Sequence, residues 1–169
     1  MTAPLRIFVL GSFADVTPGG RRSIETLRTL VSCLISLGWD AFLSGDPRSR
    51  EIAPGHWTPR QLTRALERCT DLSLFVASRA GRPNGWVTEL ATLQITRPET
   101  ATRRVVLVEV GYPLSQMMDP MYGGLLAEPP VLVIPWRDGD ELCAAADRCA
   151  RFLSTRGRLP TRTGQERQH

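Results

Sequence analysis

The feature that most constrains this chain is a recurrence of short, nearly unbroken apolar runs separated by longer stretches with helix-spaced apolar residues. Leu72-Ser73-Leu74-Phe75-Val76-Ala77 is the clearest run, and its lack of polar alternation suits a strand covered on both faces. Leu5 to Leu10 with Gly11 at its end, Trp39 to Leu43, Arg104 to Val110 and Pro130 to Pro135 read as four more strands. Between the first two, Ser23 reads as a helix cap, followed by Ile24, Leu27, Leu30, Val31, Leu34 and Ile35 at three- and four-residue steps until Gly38. Thr58-Pro59 opens a helix running to about Cys69. Further helices are predicted from Trp86 to Ile95 and from Asp138 onward, the last with Leu142, Ala145, Ala146, Cys149 and Leu153 on one side. Ser44 to Trp57 reads as a long loop and Tyr112 to Leu126 as an irregular or short helical connection.

Strands alternating with helices predict a doubly wound, three-layer α/β/α domain with a five-stranded, mostly parallel sheet in the flavodoxin-like order 2-1-3-4-5. The 169 residues, 42% hydrophobic and 22% charged, suit one core. A single domain is expected over 1–155, and the basic segment 156–169, which has no apolar pattern, is expected to be disordered. Ligands in such sheets bind beyond the carboxyl ends of the strands, where the strand order reverses. That rule sets the loop Gly11 to Arg22 opposite the segment Ser78 to Glu89.

Composition removes several function classes. No apolar run approaches the ~18 to 20 residues that span a bilayer, so no membrane association is expected. Met1-Thr2-Ala3-Pro4 lead straight into a strand without space for a signal peptide, which predicts a cytoplasmic protein. All 21 basic residues are arginine, which excludes a Schiff-base lysine and a Walker-type phosphate loop. The net charge of +4 is spread along the chain without interleaved aromatics. Nucleic acid is therefore not the expected partner, whereas an anionic small molecule meets a favourable field. Cys33, Cys69, Cys143 and Cys149 have no metal-ligand spacing and are expected to be reduced and packed. With His56 and His169 the sole imidazoles, no metal site is expected and proton chemistry must rest mainly on carboxylates.

Among the carboxylates, Glu89 stands out, because the predicted helix beyond the third strand places it in the first turn, at the mouth of the cleft. A helix N-terminus favours the ionised form, which suits a nucleophile or a stabiliser of positive charge. Cleaving an N-glycosidic bond calls for such a group, since the sugar gains oxocarbenium character as the base leaves. An acidic residue in this position also simply complements the helix dipole. Gly11 and Ser12 can offer backbone N–H groups and a hydroxyl to a phosphate or ribose and Phe13 can stack on a base, though glycine after a strand is also an ordinary turn. Asp15 and Asp46 can accept ribose hydroxyls or cap turns. Arg21 and Arg22 can meet a phosphate or stay solvated, and Trp57 and Trp86 can clamp a leaving group or serve the core.

The box Trp86-x-x-Glu89-Leu90 resembles that of Toll/interleukin-1 receptor (TIR) domains, whose catalytic glutamate falls on Glu89. Gly85-x-x-x-Glu89-Leu90-Ala91 is also similar to the glutamate-containing turn of nucleoside 2-deoxyribosyltransferases, and Ile7 to Asp15 fits the first strand and turn of both families. Cys69-Thr70-Asp71 resembles the acidic position that precedes the third strand in both. The transferases' extra acidic residue has no counterpart in Arg79-Ala80-Gly81-Arg82-Pro83-Asn84. The resemblance implies an N-glycosidase with Glu89 as the catalytic group and Gly11, Ser12, Phe13, Asp15, Asp46, Ser78, Gly81, Asn84, Gly85 and Trp86 around the substrate. NAD or a nucleoside or nucleotide is then substrate, with no resident cofactor. The alternative it implies is a non-catalytic, nucleotide-sensing module that self-associates, and a homo-oligomer is expected on either reading.

Overall fold

A computed structural model describes residues 5–11, 18–43, 71–80, 84–112, 124 and 131–157, with the backbone alone for 18–21, 84–86, 88 and 156. Five strands form one sheet: β1 (Arg6–Gly11), β2 (Asp40–Leu43), β3 (Leu72–Ala77), β4 (Arg104–Glu109) and β5 (Leu132–Trp136). Their order is β2-β1-β3-β4-β5 and every pairing is parallel, as the strand–helix alternation predicts. Around the sheet lie α1 (Pro18–Ser36), α2 (Asn84–Thr96), a 3-10 helix (Pro98–Arg103) and α3 (Gly139–Arg156).

Period-two geometry sorts each strand between two cores. Ile7, Val9, Leu72, Leu74, Val76, Val105 and Leu107 pack against Leu27, Leu30 and Leu34 of α1 and Leu142, Ala145, Ala146 and Leu153 of α3. The alternate residues Phe8, Leu10, Phe75, Ala77, Val106 and Val108 face Val87, Leu90 and Leu93 of α2. This is the doubly wound, three-layer architecture, with α1 and α3 on one face and α2 on the other. The helix after β1 and the helix after β3 thus leave the sheet on opposite sides. The strand order reverses between β1 and β3, where Gly11 pairs with Val76 at the carboxyl edge.

Local expectations fail where punctuation residues sit inside an element. Ser23 does not cap α1: the helix begins at Pro18, and Ser23 is buried within it. Proline has the φ of a first helical position, so Pro18 starts a helix that Gly19 and Gly20 disguise as loop. Likewise α2 begins at Asn84, ahead of the expected Trp86. Asp138 caps α3 as expected, its carboxylate accepting from the Glu141 N–H at 2.9 Å, and Gly157 closes the helix in the left-handed conformation.

Two cysteines depart further from expectation, whereas Cys149 is reduced and packed as expected and Cys69 lies outside the described residues. Cys33 of α1 and Cys143 of α3 are joined in a disulfide, with Cα atoms 6.4 Å apart. Neither position signals its partner in sequence, because the pairing follows from α1 and α3 sharing one face of the sheet. Cys149 is a free, buried thiol, pushed up to about 11 by burial.

The amino edge of the sheet carries two sets of charged contacts. Asp71 accepts the Arg6 N–H at 3.0 Å and pairs with the Arg6 guanidinium at 3.5 Å, which gives this acidic position a structural task away from the cleft. Arg104, 2% exposed, donates to Gln94 Oε1, the Arg97 carbonyl and Thr100 Oγ1, joining the start of β4 to the end of α2. Burial lowers its guanidinium to about 10.

Candidate functional site

At the carboxyl edge, α2 rises directly from the connection after β3, and Glu89 is the sixth residue of the helix. It therefore sits in the second turn, about 7.5 Å along the axis from Asn84 at 1.5 Å per residue, and not in the first turn as expected. The extra turn changes its electrostatics. Its neighbours Val87, Leu90 and Leu93 are buried against the sheet, and its own Oε2 is shielded from solvent with no hydrogen-bond partner among the described residues. Desolvation pushes the carboxyl up to about 7 from the ordinary 4.5. The expected stabilisation of the ionised form by the helix N-terminus is thus overturned: burial outweighs a dipole effect that fades within the first turn.

Burial causes this displacement, and no charged neighbour among the described residues contributes to it. β3 brings no titratable side chain to α2. From β1 there is Arg6, engaged with Asp71 at the opposite edge. The 3-10 helix brings Glu99 and Arg103 to the far end of α2. A carboxyl held near 7 populates both protonation states at neutral pH and can donate as well as accept a proton.

Next to α2, the last paired residues of β3 and β4 are Ala77 and Val108, so Ser78 and Glu109 come side by side just beyond them. Ser78 is buried, and its Oγ donates to Glu109 Oε2 at 3.0 Å while accepting from the Ala80 N–H at 3.3 Å. Glu109 also accepts the Arg79 N–H on Oε2 at 2.6 Å and Arg79 Nε on Oε1 at 3.2 Å. One carboxylate therefore fixes the turn that leads toward α2, and Ser78, expected to meet substrate, is engaged within that turn. Glu109 and Arg79 were not singled out in the sequence. The signal available was a carboxylate at the end of the apolar run Arg104 to Glu109, a position that a doubly wound sheet sets at its ligand-binding edge.

The remaining expected residues divide into two groups. Gly11 closes β1 beside Val76, and a Cβ there would come 2.8 Å from Leu27 Cδ1, so close helix–strand packing explains the glycine. Asn84, Gly85 and Trp86 form the opening turn of α2, immediately before the turn that holds Glu89. Ser12, Phe13, Asp15, Asp46 and Gly81, together with Trp57 and His56, lie outside the described residues. Among the described residues no three His, Cys, Asp or Glu side chains gather as a metal site, and no helix is long and apolar enough to cross a membrane.

No protein-family model matches this chain, and no curated protein matches it. Solved structures do. A de novo designed Rossmann 2x3 fold protein, known from solution NMR, aligns over 99% of both chains at 15% identity with a TM-score of 0.48. The X-ray structure of an oxidoreductase from Corynebacterium diphtheriae aligns over 90% of this chain and 99% of that one, at 12% identity and a TM-score of 0.50. At such identities the likeness concerns the fold alone, and this chain is accordingly a Rossmann-like α/β domain.

Proposed function

We propose that this protein cleaves an N-glycosidic bond of NAD or of a nucleoside or nucleotide, with Glu89 as the catalytic group. The observation that carries the reading is a buried carboxyl oxygen without a hydrogen-bond partner among the described residues, on the helix that follows β3 in a doubly wound sheet. Burying such a group is unfavourable to folding, and a ligand that supplies a basic nitrogen or a developing cation recovers that loss.

The chemistry follows from its two protonation states. With a neutral nucleoside, protonated Glu89 gives its proton to the leaving base as the C1′–N bond breaks and the bonding pair goes to the base. The carboxylate left behind then stabilises the ribosyl cation until water adds at C1′. With NAD, nicotinamide leaves as a neutral base carrying the bonding pair, so the ionised form suffices. Incubation with NAD and a nucleoside panel, followed by chromatography, should show free base released by the native protein and not by Glu89→Gln. Equal release by both would remove the proposal.

A second reading, a self-associating nucleotide sensor, draws on Ile95, which is 80% exposed on α2. Nucleotide-induced thermal stabilisation without turnover would favour it.

A further inference from the structure

The Arg79–Glu109 pair sits at the carboxyl edge of the sheet, beside the last residues of β3 and β4. A guanidinium can offer two parallel N–H groups to one acceptor group. Here Glu109 commits Oε2 to Ser78 Oγ and the Arg79 backbone N–H, and reaches the guanidinium through Oε1 at Nε alone. Glu109 is 14% exposed and firmly seated, whereas the Arg79 side chain is 59% exposed. No acceptor among the described residues takes its terminal nitrogens.

Gly111, just past β4, completes the arrangement. It adopts φ +84°, a conformation that favours glycine, and a Cβ there would meet Arg79 Nη1 at 3.4 Å. The Arg79 guanidinium thus lies beside the backbone at the end of β4. Arg79 stands on the connection that leads from β3 to α2, and the N-terminus of a helix favours an anion.

We propose that Arg79 is a phosphate-receiving side chain at the carboxyl edge of the sheet, oriented by Glu109 through Nε so that its two terminal nitrogens meet two phosphate oxygens. The inference rests on the glycosidase reading for what is done to the ligand, and adds that the ligand is phosphorylated: a nucleotide, and not a free nucleoside. The fork geometry matters as much as the charge, since lysine offers a point charge that cannot bridge two oxygens.

Calorimetric titration tests this without turnover. Four nucleosides are compared with their 5′-monophosphates, and nicotinamide riboside with NAD, on the native protein and on Arg79→Gln, Arg79→Lys and Arg103→Gln. The native protein should bind the phosphorylated member of at least one pair more tightly. That preference should fall about 10- to 100-fold in Arg79→Gln, as expected for a charge-assisted hydrogen-bonded contact. It should return in part in Arg79→Lys and stay unchanged in Arg103→Gln, an exposed arginine at the amino edge. Which pair responds separates a monophosphate from the pyrophosphate of NAD. Absence of any preference in the native protein, or a preference that survives Arg79→Gln, overturns the assignment. A preference that depends on Arg79 without any base release would remove the glycosidase reading and leave the phosphate site standing.

Discussion

Replacing Glu89 by glutamine should make this protein more stable at alkaline pH, and the size of the gain follows from the carboxyl's surroundings. In the unfolded chain the group titrates near the ordinary 4.5, whereas burial raises it to about 7 in the folded protein. The folded state therefore holds the proton more tightly, and stability falls as pH rises from the lower value through the higher one. At about 1.4 kcal/mol for each tenfold change in proton affinity, the ionised folded protein is destabilised by about 3 kcal/mol. Glutamine keeps the shape and removes the charge. The stability difference between Glu89→Gln and native protein should be small near pH 4.5, grow between pH 5 and 7, and level off by about pH 8. In a domain of this size it corresponds to a melting-point gain of roughly 6 to 12 °C. Urea titrations of both proteins at half-unit pH steps measure it, and taking the difference cancels every other titrating group. A difference that does not change with pH, or native protein the more stable at pH 8, would refute the claim that this carboxyl is desolvated. A variant that is both more stable and inactive fits a residue retained for function at the expense of stability.

Three further substitutions test the frame around the site. Gly11→Ala should destabilise by about 1 to 3 kcal/mol, because the added methyl meets Leu27 in a closed core; an unchanged melting temperature would show that Leu27 yields freely. Arg104→Leu should cost about 1 to 3 kcal/mol in urea unfolding by removing the buried guanidinium from Gln94 Oε1, the Arg97 carbonyl and Thr100 Oγ1, and a loss below about 1 kcal/mol would show that water replaces the guanidinium. Cys33→Ser and reduced native protein should melt alike and below the oxidised form, a bridge with a sequence separation of 110 being worth about 4 to 5 kcal/mol on chain-entropy grounds. Insensitivity of native melting to dithiothreitol would contradict this.

The sheet was legible because its signal is redundant. Each strand is an apolar run, each described helix carries an apolar stripe or a cap, and the connections leave few alternatives to parallel crossovers. The start of α1 was not legible, since Pro18-Gly19-Gly20 reads as a turn to any local rule and becomes helical in the context of the whole domain. That kind of error moved Glu89 from a predicted first turn to an observed second one, and with it the sign of its pKa displacement. The disulfide and the hub at Glu109 were hidden for another reason. Both join residues far apart in sequence, Cys33 to Cys143 and Ser78 to Glu109, and no period or cap reports such a meeting.

The ion pairs at the two edges of the sheet are alike, Asp71 and Glu109 each accepting a backbone N–H and the Nε of one arginine, but the buried ionisable groups differ, and that difference points to where a ligand belongs. At the amino edge Arg104 meets acceptors on three residues. At the carboxyl edge Glu89 Oε2 has no partner among the described residues. Selection for stability alone has no reason to separate these two patterns along the strand direction, whereas a doubly wound sheet that binds beyond its carboxyl ends does. Stabilising changes at the amino edge should therefore leave activity intact. At the carboxyl edge, a change that satisfies Glu89 from within the protein should raise the melting temperature and weaken binding together, and a variant that achieves the first without the second would break the link drawn between unmet charge and ligand.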